Sequence, residues 1–521
     1  FLRTVLEELR IFGVHEAIDM HLASYLAAEN ESELFQTVLN RMERDHGKHA
    51  VQSVMSAIWA SRFGLSETEL IEITGLSRLA LSEFLIALEF HLMQHGGLFT
   101  FFHNYLRQAC ETRYIASLPD KKEVHRHLAS YFSEEPYDER RRSEEPWQWQ
   151  QSEDIERFKQ CITDIPMLDM LLDESRQQEL IGYWVELQKH FDLAETYHDA
   201  SLRFRNEIPD DAAFAALSGK LGNALVAASS YKEAEYDLCI ALDLRKKLFG
   251  ENDLITAESM SDLATLFYHT GKFNDAGALF DNASKIREEI LGENDPLTAR
   301  TLNDLATIFY SQGKLDNAEK YFRIVLDRYQ TYYKNDHPEV ASTLNNIGSV
   351  LLQKSIYKQA IEYYIDSLRM YERLYGLKSY TLILPTQNLA TCYMKIQENE
   401  RADELYLKAL VMNKTIYGEV HFSTAHIYAN MGVFYSRIGN PKKAIEMHTK
   451  GLEIKKKILG EDHWETINSY INLGTAYYRS GNKIAGESLV FKYLPVLKKL
   501  LGNNHQIYLM NESAWNELTS T

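Results

Sequence analysis

In the second half of the chain, apolar positions recur at helical spacing in paired segments joined by short polar turns, and the pairs themselves repeat. Aligning LGNALVAA, LATLFYHTG, LATIFYSQG, IGSVLLQKS, LATCYMKIQ, MGVFYSRIG and LGTAYYRSG superimposes Gly222, Ala264, Ala306, Gly348, Ala390, Gly432 and Gly474. Each step is 42 residues, as in 264 − 222 = 42. A second small column keeps that step: Ala234, Ala276, Ala318, Ala360, Ala402, Ala444 and Gly486. A third comprises Gly250, Gly292, Gly376, Gly418, Gly460 and Gly502, with Lys334 as its one departure. A weaker copy carries Gly182 and Ala194, and at the other end Trp515 and Asn516 fall where a further Leu and small residue would stand.

These columns predict one helical hairpin per repeat. The first two small residues let the paired helices approach, where a Leu would overpack by roughly 1–3 kcal/mol. The glycine column suits helix C-termini, and Pro296 and Pro338 suit first helical positions. The expected fold is therefore all-α: a solenoid of about eight hairpins over 171–502 with a capping helix over 503–521.

The first 170 residues lack this period. Helical patterns cover Phe1–Phe12, Glu31–Asp45 and Ala50–Arg62, giving a helical region over 1–64. Ser66 and Glu69 then form a capping-box pattern before an apolar run. A second helix follows Gly75, two apolar segments flank Gly96–Gly97, and HNYLRQACETRY is helical. Helix–turn–helix followed by a hairpin predicts a winged helix over 65–115, with a helical linker over 116–170. The run DERRR at Asp138–Arg142 reads as a solvated linker face.

Charge narrows the function classes. Lys and Arg number 56 against 74 Asp and Glu, a net charge of −18. With Glu83 and Glu89 beside Arg78 on the second helix, the winged region is not read as a DNA binder, and no nucleic-acid partner is expected. No apolar run reaches the roughly 20 residues of a membrane span. Cys110, Cys161, Cys239 and Cys392 form no CxxC pair, which points to a reducing, intracellular and cytoplasmic setting. No P-loop, zincin or nucleophile-elbow motif occurs, and Gly271-Lys272 and Gly313-Lys314 read as turns, so no catalysis is expected of this chain.

The small, aromatic and Ala positions of LATIFYSQGKLDNAEKYF resemble the tetratricopeptide repeat, lengthened from its usual period of about 34. The long form is similar to the repeats of kinesin light chain and nephrocystin-3-like proteins. That resemblance implies a right-handed superhelix whose groove binds a protein or peptide. The column Asp262, Asp304, Asn346, Asn388, Asn430 and Asn472 would face this groove, where an amide can grip a peptide backbone; the alternative is that it bridges adjacent repeats. Further groove candidates by family position are Tyr268, Tyr310, Tyr478, Lys395, Arg437 and Arg479. The column His337, His421, His463 and His505 reads as loop capping, its members being too far apart for one metal ion.

FLRTVLEELRIFG, WASRFGLSETELIEITGL, GGLFTFFHNYLRQA and HRHLASYF, taken in order, resemble the region after the nucleotide-binding core of NACHT-type STAND ATPases. The resemblance implies that His103, between strand and helix in FTFFHNYLRQA, contacts the β-phosphate of ADP; the alternative is a His capping its own helix. His91 and His95 have no such support. It also implies an ATPase core before Phe1 that uses ADP or ATP with Mg, an ADP-locked state released by a ligand on the repeats, and homo-oligomerisation. Antiviral or innate defence is one setting for such a protein. The competing expectation is a constitutive adaptor binding partner or cargo peptides without a nucleotide switch.

Overall fold

The computed structural model describes residues 4–5, 22–23, 25–173, 177–228, 230–501 and 506–520. Of the expected Phe1–Phe12 helix only Thr4 and Val5 are described, both helical, and Gly502 and His505 lie outside the described residues. The chain forms two compact units, Phe1–Ile240 and Ala241–Thr521, whose boundary falls inside the helix Tyr231–Phe249.

The first unit is built on helices with strong local signals. Asn30 caps Glu31–His46 by accepting from the Glu33 N–H, and Ser66 and Glu69 complete the capping box of Glu67–Thr74. Arg78–Ala87 follows, then two strands, β1 (Leu92–His95) and β2 (Leu98–Phe101), then the helix Asn104–Tyr114. The strands pair antiparallel, Leu92 opposite Phe101 and His95 opposite Leu98. Gly96 and Gly97 close the hairpin at φ 58° and 83°, the left-handed pair a two-residue turn requires. Leu65 forms an antiparallel bridge with Phe99, adding a third, minimal edge. Gly64 permits it, because a Cβ there would lie 2.6 Å from the Phe99 carbonyl oxygen.

The core of this region joins Leu34, Val54, Leu81, Phe84, Leu106 and Phe132. Phe132 belongs to Leu118–Glu134, so the stretch expected to be a linker contributes to the core.

The DERRR run is solvated only at its start: Asp138 and Glu139 are exposed, Arg140 is half-buried, and Arg141 and Arg142 are buried. The run opens the helix Glu139–Ser152, in which Arg142, Glu144, Glu145 and Gln148 are buried. Glu144 accepts from the backbone N–H groups of Arg62 (3.1 Å) and Phe63 (3.2 Å) and from Arg140 (3.0 Å). Arg140 also reaches Glu69 (2.6 Å), Arg141 pairs with Glu145 (2.7 Å), and Arg62 pairs with Glu179. Arg141 and Arg142 find their partners within the same helix, whereas Arg140 finds Glu69 across 71 residues of sequence.

Helical hairpins follow: Gln177–Leu187 with Leu193–Glu207, and Asp211–Ala227 with Tyr231–Phe249. In the second unit the pairs are Leu254–His269 with Phe273–Leu291, Pro296–Ser311 with Leu315–Tyr333, and Pro338–Gln353 with Tyr357–Tyr375. Then come Ile383–Lys395 with Asn399–Tyr417, Phe422–Arg437 with Pro441–Leu459, and Trp464–Arg479 with Lys483–Leu501. A final helix, Gln506–Thr519, places Trp515 against Tyr478 and Phe491. Among the described residues the only strands are β1 and β2, so the fold is all-α apart from that hairpin.

The columns acquire physical roles here. A Cβ on Gly348 would lie 2.8 Å from the Tyr364 ring, and one on Gly432 would lie 2.6 Å from the His448 ring. The glycine therefore makes room for a ring from the paired helix. The column ending each second helix adopts φ 77–93° at its glycines, while Lys334 takes φ 54°. The starts of the first helices form one capping column. Asp253, Asp295, His337, Ser379, His421 and His463 each accept a hydrogen bond from the N–H two residues on. In the three histidines Nδ1 is the acceptor, and no His, Cys, Asp and Glu grouping among the described residues could hold a metal.

Candidate ligand-binding face

The Asp/Asn column lies on the first helices, and the structure gives each chemistry a different partner. Asn346 Nδ2 donates to Asn303 Oδ1 (3.2 Å), Asn388 Nδ2 to Asn345 Oδ1 (3.1 Å), and Asn430 Nδ2 to Gln387 Oε1 (3.1 Å). Each bond joins a repeat to the one before it. One amide N–H is used in this way, which leaves the rest of the amide's capacity for other partners. In the earlier repeats the column is acidic. Arg287 lies near both Asp262 and Asp304 and also binds Ser261 Oγ (3.0 Å). Burial pushes the Asp304 carboxyl up to about 6, opposed by Arg300 and Asn303. Asn472 stands one repeat further on, within Trp464–Arg479.

The other candidates divide. Tyr268 and Tyr310 are half-buried neighbours, and burial raises the Tyr310 hydroxyl while Gln353 bonds to it. Tyr478 packs edge-to-face on Trp515 (5.1 Å between centroids) and so belongs to the terminal cap contact. Lys395, Arg437 and Arg479 are exposed at the last turns of their helices, where a cation also complements the helix dipole.

One opening in the second unit touches this column and was not anticipated. It is a cavity of about 500 Å³ lined by Glu339, Ser342, Asn345 and Asn346 from one helix, Tyr371 and Tyr375 from the next, and Tyr380, Leu384 and Pro385 beyond. A sequence signal does exist. In the other repeats of this unit a residue such as Pro296, Pro338, Phe422 or Trp464 starts a 16-residue helix. Here the corresponding residue is Tyr380, which starts a short 3₁₀ turn, and the helix Ile383–Lys395 has only 13 residues.

In the first unit, His103 is the residue before the helix Asn104–Tyr114, and its side chain does not cap that helix. Its ring meets Phe102 edge-to-face (4.5 Å) and Phe35 at 6.1 Å. With Glu89, His91 and Met93 it lines a cavity of about 250 Å³. His91 is buried and edge-to-face with Phe35 (5.8 Å), a core position, and His95 ends β1. The cavity thus presents the His103 imidazole together with the Glu89 carboxylate.

Among the described residues no disulfide joins Cys110, Cys161, Cys239 or Cys392, and burial pushes the Cys392 thiol up to about 12.

Residues 263–323, 307–373 and 382–457 match the tetratricopeptide repeat family. A TPR repeat-containing protein of Dictyostelium discoideum is 29% identical over 202 residues, covering 36% of this chain and 12% of that protein. Nephrocystin-3 of Mus musculus is 25% identical over 275 residues, covering 50% of this chain and 20% of that protein. The chain thus spans a fifth or less of the length of these curated relatives. Among solved structures, a STAND protein with a tetratricopeptide repeat sensor from Pyrococcus horikoshii is 15% identical, with a TM-score of 0.43, covering 99% of this chain and 69% of that one. BtubC (BKLC) from P. vanneervenii is 21% identical, with a TM-score of 0.35, covering 49% of this chain and 94% of that one. No described helix is long and apolar enough to cross a membrane. The helical hairpins across the three matched stretches are tetratricopeptide repeats.

Proposed function

We propose that this chain is the ligand-sensing and autoinhibitory arm of a STAND-type signalling ATPase with a NACHT core. Its repeats bind a protein or peptide trigger, and its first unit helps hold the ADP-bound state. The observation that carries the reading is the pairing, on one chain, of a repeat array with a packed arm in which His103 stands at a strand–helix junction, lines a cavity and does not cap its helix. An imidazole N–H at a helix start suits a phosphate oxygen, and the helix dipole adds to the attraction. The nucleotide, with Mg, would be held chiefly by an upstream core, with His103 as one donor.

Switching is a matter of differential affinity. A trigger shifts the equilibrium only by binding the open state better, by about 5.5 kcal/mol for a near-complete change. Release of ADP would then permit homo-oligomerisation, in antiviral or innate defence or another signalling role. The test is the ADP off-rate of the full-length protein, wild type against His103→Ala. Faster release in the variant is expected, and an unchanged rate removes the role given to His103. A coding sequence with no P-loop ahead of this chain would favour the second reading, a constitutive adaptor, which needs only the repeats.

A further inference from the structure

We infer that the cavity between the repeats Pro338–Tyr375 and Tyr380–Tyr417 is a subsite for a basic side chain, lysine or arginine, of the bound peptide. It deepens the reading of the repeats as a binding face and rests on that part of the proposal, not on the nucleotide switch.

The argument begins with the lining. Glu339 is the only charged residue of the cavity, and it makes no ion pair among the described residues. Arg300, from the previous repeat, lies outside the cavity lining and acts together with Glu339 on Asp304 and Tyr329. Three phenol rings stand around it. Tyr371 and Tyr375 occupy successive turns of one helix with ring planes 25° apart, and Tyr380 comes from the 3₁₀ turn of the next repeat. Tyr371 is partly fixed by a bond to Ser342, and its hydroxyl senses Glu339, Tyr375 and Tyr380. Tyr375, Tyr380 and Leu384 are 50%, 62% and 58% exposed, a concentration of apolar and aromatic surface that a solvated turn does not require.

This combination fits a particular chemistry. A lysine or arginine side chain lays an apolar stem on Leu384, Pro385 and the tyrosine rings, and its charged head meets a carboxylate beside aromatic faces. An acidic side chain would be repelled by Glu339, and a purely apolar one would leave that carboxylate facing hydrocarbon. The site occurs at this repeat because a 3₁₀ turn, Tyr380–Leu382, stands where Pro338, Phe422 and Trp464 begin their α-helices, and the α-helix starts three residues later.

The test uses this 521-residue chain without nucleotide and four capped peptides, acetyl-Gly-Xaa-Gly-amide, with arginine, lysine, norleucine or glutamate at the centre, titrated by saturation-transfer NMR. The arginine and lysine peptides should bind at least about fivefold tighter than norleucine, and glutamate should not bind. Glu339→Gln and Tyr380→Ala should each remove most of this preference, with circular dichroism unchanged. Glu400→Gln, an exposed carboxylate outside the cavity, should leave it intact. Equal binding of norleucine and arginine, or an equal effect of Glu400→Gln and Glu339→Gln, overturns the inference; the latter result would mean that the net charge of −18 attracts cations without a site. Loss of nucleotide control in the full-length protein would leave the outcome unaffected, so the two proposals fail separately.

Discussion

The two units are held together over very different distances along the chain. In the repeats, side-chain bonds between neighbouring repeats join residues such as Tyr435 with Asp403, 32 positions apart, and Asn388 with Asn345, 43 positions apart. In the first unit, Arg140 reaches Glu69 across 71 positions, and Arg62 reaches Glu179 across 117. A repeat therefore depends on its neighbours, and stability is approximately a sum of local terms. The first unit holds a core that includes Leu34 through Phe132, and distant charge pairs tie the helix Glu139–Ser152 to it, so damage at one pair should spread across that core. A binding array gains from the first design, because a ligand can engage several equivalent positions. A lever that transmits a switch gains from the second.

The sharpest way to break this comparison is at Glu144. It is fully buried and serves Arg140, Gln148 and two backbone N–H groups, so Glu144→Ala strands several donors at once. A loss of about 3–5 kcal/mol is expected. Urea unfolding followed by hydrogen exchange should show the first unit opening as a whole while residues 254–501 keep their protection. Exchange that rises only around residues 139–152 would contradict the cooperative picture.

His448 gives a pH-dependent counterpart inside the repeats. Burial over Gly432 pushes its imidazole down to about 4 from the usual 6.5. The folded repeat thus binds this proton less well than the unfolded chain. Its stability is unaffected above pH 6.5 and falls as pH drops from 6.5 toward 4, by about 3 kcal/mol at the lower end. His448→Leu, the residue type that Leu238 supplies opposite Gly222, should flatten that dependence in thermal melts taken between pH 4 and 8.

A smaller effect follows at Gly348. A Cβ there meets the Tyr364 ring, so Gly348→Ala should cost about 1–3 kcal/mol, with exchange rising in the repeat 338–375 and its neighbours only. Smallest is Asn388→Ala, which removes one bridging bond worth about 1 kcal/mol. If this column also grips a ligand, the same variant will lose ligand affinity by more than its melting shift explains. A melting shift alone would restrict the column to bridging.

Much of the repeat architecture was legible in the sequence because periodic packing leaves periodic residues. Gly222 and its equivalents mark where rings or large side chains cross, and Pro296 and Pro338 mark helix starts. The histidine column was legible as capping once Asp253 and Asp295 are seen to hold the same position. The destination of Arg140 in the Asp138–Arg142 run was not legible, since its partners Glu69 and the Gly64 carbonyl are set by tertiary packing. The cavity at Glu339 was hidden for another reason. It arises from a departure at Tyr380–Pro385, and an alignment of columns draws the eye to what repeats. The side-chain chemistry of Asn346, Asn388 and Asn430 was compatible with two partners, and the bridge to the preceding repeat is visible only in the folded chain.

The central claim is that the repeats restrain an ADP-bound upstream core. The most direct measurement is the mass distribution of the full-length protein with ATP, intact and with residues 251–521 removed at the Gly250 turn. The account predicts a monomer retaining ADP for the intact protein without trigger, and assembly without trigger for the shortened one. A shortened protein that remains monomeric and keeps its ADP as tightly as the intact protein would contradict it.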